Sequence, residues 1–210
     1  MAEEKKKLLG LSLADLEAVA AEMEMPRFTA KQMAQWLYEK RATTVDEMTN
    51  LSKSNRARLS ERYCVGREAP AEAMRSVDGT VKYLFRTAGG KMIESVYIPD
   101  ADRATLCVSS QIGCKMNCSF CMTGKQGYHG DLTAAEILNQ IFSIPESLTL
   151  TNIVFMGMGE PMDNYIEVVR AIAVLTERWG LAWSPKRITV SSIGKLGDLK
   201  RLVEQTDVHI

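Results

Sequence analysis

The sequence carries no net charge, since 26 lysines and arginines balance 26 aspartates and glutamates. That argues against a wholesale basic coat for nucleic acid and leaves only a local patch open. No apolar run reaches the roughly 20 residues that span a bilayer. The stretch MAEEKKKLLGLSLADLEAVA starts basic, but Asp15 and Glu17 interrupt its apolar part. It therefore reads as neither a signal peptide nor a membrane span. No fixed-period repeat and no low-complexity segment is present. An apolar share of 46% with 25% charged residues is ordinary for a folded domain and argues against disorder, collagen and a coiled coil. The 210 residues suffice for one large domain, or a small one joined to a medium one. The five cysteines are odd in number, and three crowd into eight residues. A disulfide framework is thus disfavoured, and a metal or redox role in a reducing cytoplasm is expected.

Three regions follow one another. Residues 1–68 read as a helical domain. Ser12 is a candidate N-cap, with Leu13, Leu16, Val19, Ala20 and Met23 on one face of the helix that follows. Thr29 is expected to open a second helix carrying Met33, Trp36 and Leu37, and Thr44 a third running through VDEMTNLSKSNRARLSERY. Residues 69–103 switch to a period of two. Asp78-Gly79 and Gly89-Gly90 mark turns of a short antiparallel β segment linking two domains. In residues 104–210 strands alternate with helices: ATLCVSS, then LTAAEILNQIFSI with Asp131 before it, TNIVFMG, NYIEVVRAIAVLTERW, RITVSSI, GDLKRLVEQ and the strand start DVHI. Such order implies parallel strands with helices outside, an α/β fold that forms a barrel or part of one. A barrel would not naturally end at Ile210, so a further C-terminal part is expected.

Cys114-Lys-Met-Asn-Cys118-Ser-Phe-Cys121 follows a strand directly. Soft thiolates select zinc or iron–sulfur clusters. Zinc in structural sites takes four protein ligands, commonly from paired C-x2-C units. Here Cys64 and Cys107 lie on other segments, and His129 is the only nearby imidazole. Three thiolates suit a 4Fe–4S cluster with one iron left open, against the alternatives of zinc or an incidental cysteine group.

Other residues carry two readings each. Gly157 to Pro161 (GMGEP) follow an apolar strand, where ligands meet the C-terminal edges of parallel strands. Gly159 allows close backbone approach, and Glu160 either accepts from a ligand ammonium or merely lies in a tight turn. Ser191 ends RITVS and either bonds a cofactor or caps a turn; Ser192 is undecided. Glu94 shares a strand face with Met92, Val96 and Ile98. Burial there would raise its pKa toward that of a useful base, whereas a solvated strand would leave an ordinary surface carboxylate. Cys107 alone reads as a small buried hydrophobe, as does Cys64. Lys53, Arg56, Arg58, Arg62 and Arg67 form a basic run that is either a solvated helix face or a set of phosphate contacts.

The cysteine triplet after a strand of a βα series resembles the radical S-adenosylmethionine (SAM) superfamily. The strings CVSSQIGCKMNCSFCMTGKQGY, MIESVYIP, NIVFMGMGEP and RITVSSIG are similar, in order and approximate spacing, to the RNA methyltransferases of the RlmN/Cfr family. The resemblance spans nearly the whole chain and lies closer to the RlmN type, which methylates adenine C2, than to the Cfr type, which methylates C8. Another radical enzyme, such as an activase, has the triplet but no reason for the N-terminal domain. The resemblance implies a partial radical-SAM (β/α) barrel behind a helical domain that helps hold RNA. It implies a 4Fe–4S cluster on Cys114, Cys118 and Cys121, with SAM contacted by Gly159, Glu160 and Ser191. The implied substrates are a 23S ribosomal RNA adenine and adenosine 37 of some transfer RNAs. One SAM methylates a cysteine of the C-terminal part; a second, cleaved reductively, yields the radical that activates that methyl group. Glu94 is then the base that removes the adenine proton, and Cys107 the thiol that releases product by disulfide formation. A reductant such as flavodoxin or ferredoxin and a monomeric, cytoplasmic enzyme are implied as well.

Overall fold

The computed structural model describes residues 5–210. The first four residues, part of the basic start, lie outside them. The helical region opens with strand β1 (Lys6–Lys7), then α1 (Leu13–Glu22). As expected, Ser12 caps α1, in a reciprocal box with Asp15. Helix α2 (Thr29–Ala34) continues into one π-helical stretch, Gln35–Glu39. The long helix expected after Thr44 is broken. A single 3-10 turn, Val45–Glu47, is closed by Glu47 bonding back to Thr43 and Thr44. Ser52 then caps a separate helix, α3 (Lys53–Arg62). Two N-caps eight residues apart, Thr44 and Ser52, compete for the same backbone, and both win locally. Strand β2 (Tyr63–Cys64) returns parallel to β1.

A six-stranded sheet forms the rest of the framework. Strands β3 (Glu72–Arg75), β4 (Val81–Arg86), β5 (Met92–Asp100) and β6 (Arg103–Cys107) make an antiparallel meander. Its first two turns sit at Gly79 and Gly90, both at positive φ. The segment read as a linker is thus continuous with the parallel strands, in the order β10-β9-β6-β5-β4-β3. After β6 comes a small hairpin, β7 (Gln111–Gly113) and β8 (Tyr128–Asp131), with α4 (Met122–Lys125) between its strands. Asp131, read as lying before the next helix, does so as the last residue of β8, and the helix starts two residues later than Leu132. Thr133 caps α5 (Ala134–Phe142), boxed by Glu136. Strand β9 (Asn152–Phe155), α6 (Tyr165–Thr176), β10 (Ile188–Val190) and α7 (Leu196–Gln205) complete the alternation. His209 bridges Thr189 in parallel, so DVHI begins the next strand position as read. Among the described residues the parallel strands form an open sheet rather than a closed barrel.

The sheet has two unlike faces. Tyr83, Phe85, Ile93, Leu106, Ile153 and Phe155 are buried in one core with Ile137 and Ile141 of α5 and Val168 and Ile172 of α6. Roughly 1.5–3 kcal/mol for each such side chain makes this face the main source of stability. The other face carries Leu84, Glu94, Val96, Cys107, Val154 and Thr189, all half-buried or exposed.

Candidate active site

Beyond the C-terminal ends of β6, β9 and β10, three short segments are laced together. The backbone N–H groups of Ser110 and Gln111 both donate to the Met158 carbonyl, at 2.9 and 3.1 Å. Met158 N–H donates to Ser109 Oγ at 2.9 Å, and Glu160 N–H to Gln111 Oε1 at 2.9 Å. Approach this close requires glycine. A Cβ on Gly157 would lie 2.7 Å from the Val108 carbonyl oxygen, and one on Gly159, at φ +101°, 2.5 Å from Gln111 Cβ.

Glu160 is only 4% exposed, so its carboxylate needs donors. Oε1 accepts from Ser192 Oγ at 2.7 Å and from Met162 N–H at 3.1 Å; Oε2 accepts from Ile193 N–H at 3.0 Å. Ser192, undecided in the sequence, is therefore a partner of Glu160, whereas Ser191 stands exposed at the end of β10. A carboxylate offers about four acceptor positions, so Glu160 keeps one on Oε2 for a further donor.

The three cysteines lie on the loop between β7 and α4, at the same end of the molecule. All are free and half-buried. The loop is pinned at its base, where Cys114 N–H donates to the Gly127 carbonyl, and turns at Asn117, φ +45°. The N–H of Gly124, with help from Thr123, draws the Cys121 thiol below its ordinary pKa. Among the described residues, no three His, Cys, Asp or Glu side chains are gathered as a metal-binding group.

Register brings Glu94 and Cys107 together. Val96 pairs with Cys107 across β5 and β6, so Glu94 and Cys107 are diagonal neighbours on the open face, about 7–8 Å apart at Cα. Glu94 does share its face with Met92, Val96 and Ile98, but that face is the uncovered one. Its side chain is 47% exposed and pairs with Lys82 at 3.2 Å. Burial among apolar neighbours, one of the two sequence readings, is not found. The Glu94 carbonyl accepts from Ser109 Oγ at 2.6 Å, which ties it to the strand-end segments. Burial pushes the Cys107 thiol above its usual pKa, partly offset by the Met156 N–H.

Two family models match: the ribosomal RNA large subunit methyltransferase N-terminal domain over residues 6–65, and the radical SAM superfamily over residues 108–210. The chain is 59% identical to a probable dual-specificity RNA methyltransferase RlmN of Phocaeicola vulgatus, over 98% of this chain and 59% of that protein. It is 44% identical to the dual-specificity RNA methyltransferase RlmN of Nitratidesulfovibrio vulgaris, over 94% of this chain and 58% of that one. The chain belongs to the RlmN family of radical SAM proteins. It spans about 60% of the length of the curated RlmN relatives it matches. A crystal structure of a radical SAM methyltransferase from Sphaerobacter thermophilus superposes with a TM-score of 0.89 at 40% identity, covering 97% of this chain and 62% of that one. The α/β architecture is thus that of a partial radical SAM domain behind an RlmN N-terminal domain.

Membership of the RlmN family implies SAM and a 4Fe–4S cluster, and the donor set fits the latter. Three soft thiols share one accessible loop, and one is already biased toward the thiolate a metal takes. The basic run, by contrast, is largely occupied. Arg56 donates to the Leu51 carbonyl at 2.9 Å, Arg58 to the Met23 carbonyl at 2.6 Å, and Arg62 to Glu22 at 2.8 Å. Arg67 bonds the carbonyls of Arg41 and Phe142. Arg58 and Arg62 share a face as read, and that face packs on the C-terminal end of α1 while Arg62 stays exposed to solvent. Sequence reasoning also missed the buried amides Gln111, Gln140 and Asn164. Gln140 brackets Ser109 N–H and C=O, and Asn164 the carbonyls of Ser110 and Leu132. Apolar periodicity gives no signal for such residues.

The opposite thiol shifts predict an order of reactivity. In cluster-free protein at neutral pH, iodoacetamide should label Cys121 well before Cys107, because alkylation follows the thiolate fraction and exposure. Peptide mass spectrometry over time reads the order, and equal rates would contradict it.

Proposed function

We propose that the protein is a radical SAM enzyme methylating C2 of an adenine in 23S ribosomal RNA and of adenosine 37 in some transfer RNAs. The observation that carries this reading is the convergence of the cysteine loop, the Gly159–Glu160 turn and the Ser191–Ser192 segment at one sheet end, beside the open face bearing Glu94 and Cys107. An RNA substrate of more than one kind is in keeping with the relatives named dual-specificity RNA methyltransferase RlmN, and the C2 position rests on the resemblance of the motif strings to the RlmN type.

In this reading Cys114, Cys118 and Cys121 hold a 4Fe–4S cluster. When bound, it supplies the electron for reductive cleavage of SAM. Glu160 accepts from the SAM ammonium through its remaining Oε2 position, Gly159 lets the backbone approach, and Ser191 contributes its exposed hydroxyl. Glu94 lies where a substrate on the open face can reach it and takes the adenine proton. Cys107, its neighbour, is the thiol that would attack the sulfur of the methyl-carrying cysteine expected in the C-terminal part, so that the S–S bond forms as that cysteine's S–C bond to the adenine adduct breaks and its electron pair passes to the departing carbon. Its raised pKa slows that step at neutral pH unless the thiol is deprotonated as the substrate binds. A small reductant such as flavodoxin or ferredoxin, a monomeric state and a cytoplasmic location complete the reading. Among the described residues no helix is long and apolar enough to cross a membrane.

The test has two stages. Adding SAM to the reduced, reconstituted protein should change the electron paramagnetic resonance spectrum of its cluster. RNA from cells with and without the intact gene should then differ by one methyl group on the target adenines in mass spectrometry. Identical RNA in the two strains would refute the activity.

A further inference from the structure

One side chain joins the two halves of the site. Gln111 is fully buried at the start of β7, the strand that leads into the cysteine loop. Its Oε1 accepts the Glu160 N–H at 2.9 Å, and its Nε2 donates to Asp131 Oδ1 at 2.7 Å. Asp131 is its register partner at the end of β8, the strand that leaves the cysteine loop. The amide thus clamps the base of the cysteine hairpin and, with its other end, fixes the backbone of Glu160. Gly159 is packed against the same side chain, with no room for a Cβ.

The chemistry at this position is restrictive. The buried Glu160 N–H requires an acceptor, and the Asp131 carboxylate, on an exposed residue, takes the donor at the other end of the same three-carbon amide. Glutamate cannot donate, leucine and methionine do neither well, and asparagine is one methylene short. The backbone bonds from Ser110 and Gln111 to Met158 hold the two segments side by side. Among the described residues, only the Gln111 side chain ties the hairpin to the residue whose carboxylate would meet the cofactor.

We infer that Gln111 is a positioning residue that sets the Glu160 turn in register with the cysteine loop, so that one SAM reaches both. The link to SAM rests on the function proposed above; the fixing of Glu160 does not. It acts through Glu160 and Asp131 rather than by touching the reacting atoms, and it therefore governs cofactor affinity and not cluster content.

The test uses the intact, reconstituted protein. In Gln111→Leu, iron and sulfide per chain should stay at the wild-type level. The SAM concentration giving half the spectroscopic change should rise about tenfold or more, the effect of one buried donor left without a partner. Amide hydrogen exchange at Glu160 should accelerate by a similar factor while Ile153 and Phe155 in β9 keep their protection. Gln111→Glu should behave as badly, because it sets two carboxylates against each other. Adding Asp131→Asn to it restores the bond with donor and acceptor exchanged, and should recover affinity to within about threefold. A purely structural role would lower melting temperature and cluster content together and would not be rescued by the exchange. Unchanged Glu160 exchange in Gln111→Leu, or no recovery in the double variant, overturns the inference. Should the wild type itself give no response to SAM, the functional reading fails, and the exchange data alone decide whether Gln111 fixes Glu160.

Discussion

Cys118→Ala should reduce the iron and sulfide of the reconstituted protein to background. The loop between β7 and α4 offers three thiols, and the described residues provide no substitute for any of them. Cys64 lies on β2 in the helical region, its Sγ 4.0 Å from the Lys5 carbonyl oxygen. Cys107 ends β6, where burial pushes its thiol above the usual pKa. The His129 Nε2 faces the Gln126 carbonyl at 3.0 Å. A two-thiolate remnant binds an iron–sulfur cluster far more weakly than three, because each lost ligand leaves a second iron open. The apo protein should melt within a few degrees of wild type, since a half-exposed loop side chain contributes about 0.5 kcal/mol at most. Iron and sulfide analysis with calorimetry on the same samples reads both outcomes, with Cys64→Ala as the control that keeps its cluster. Full iron and sulfide in Cys118→Ala would sink the ligand assignment.

Much of this arrangement is written locally in the chain. The Ser12 cap, the turns at Gly79 and Gly90, and the order of strands and helices after residue 104 depend on neighbours within a few residues. So does the cysteine spacing. What could not be read is what depends on the covering of a surface. Alternation in β5 correctly groups Met92, Glu94, Val96 and Ile98, but it does not say which face the helices cover. The buried face includes the polar Ser95, and the exposed one the apolar Ile98. Likewise a run of arginines looks alike whether it faces water or the carbonyl ends of a neighbouring helix. The amides around Ser109–Gln111 stay invisible for the opposite reason. They are polar residues buried to satisfy backbone groups, a requirement that exists only once three distant loops have met.

Replacing Glu160 should show a second large effect, on the fold as well as on the cofactor. The SAM contact that the family resemblance implies for Glu160 leads to the expectation that Glu160→Ala weakens SAM binding while sparing the cluster. The structure shows the buried carboxylate taking three hydrogen bonds, two of them from the segment after β10. Truncation to alanine removes all three acceptors and leaves the Met162 and Ile193 N–H groups without partners. At about 1–3 kcal/mol for each unsatisfied group, a loss of roughly 3 kcal/mol follows, a large share of a typical domain's stability. Glu160→Gln is the sharper probe. Its amide oxygen can keep Ser192 and Met162, but its nitrogen then confronts the Ile193 N–H, donor against donor. Stability should fall by roughly 1–2 kcal/mol, while the negative charge that would hold the SAM ammonium is lost entirely. Chemical denaturation gives the first quantity and calorimetric titration with SAM the second. The two should separate: Ser192→Ala removes one of the two Oε1 contacts and the acceptor of the solvent-exposed Gly194 N–H, so it should cost about 1 kcal/mol of stability and leave SAM affinity within a few-fold of wild type. Equal losses of affinity in Glu160→Gln and Ser192→Ala would mean that Glu160 serves the fold alone, and the ammonium contact would have to be sought elsewhere along the strand ends.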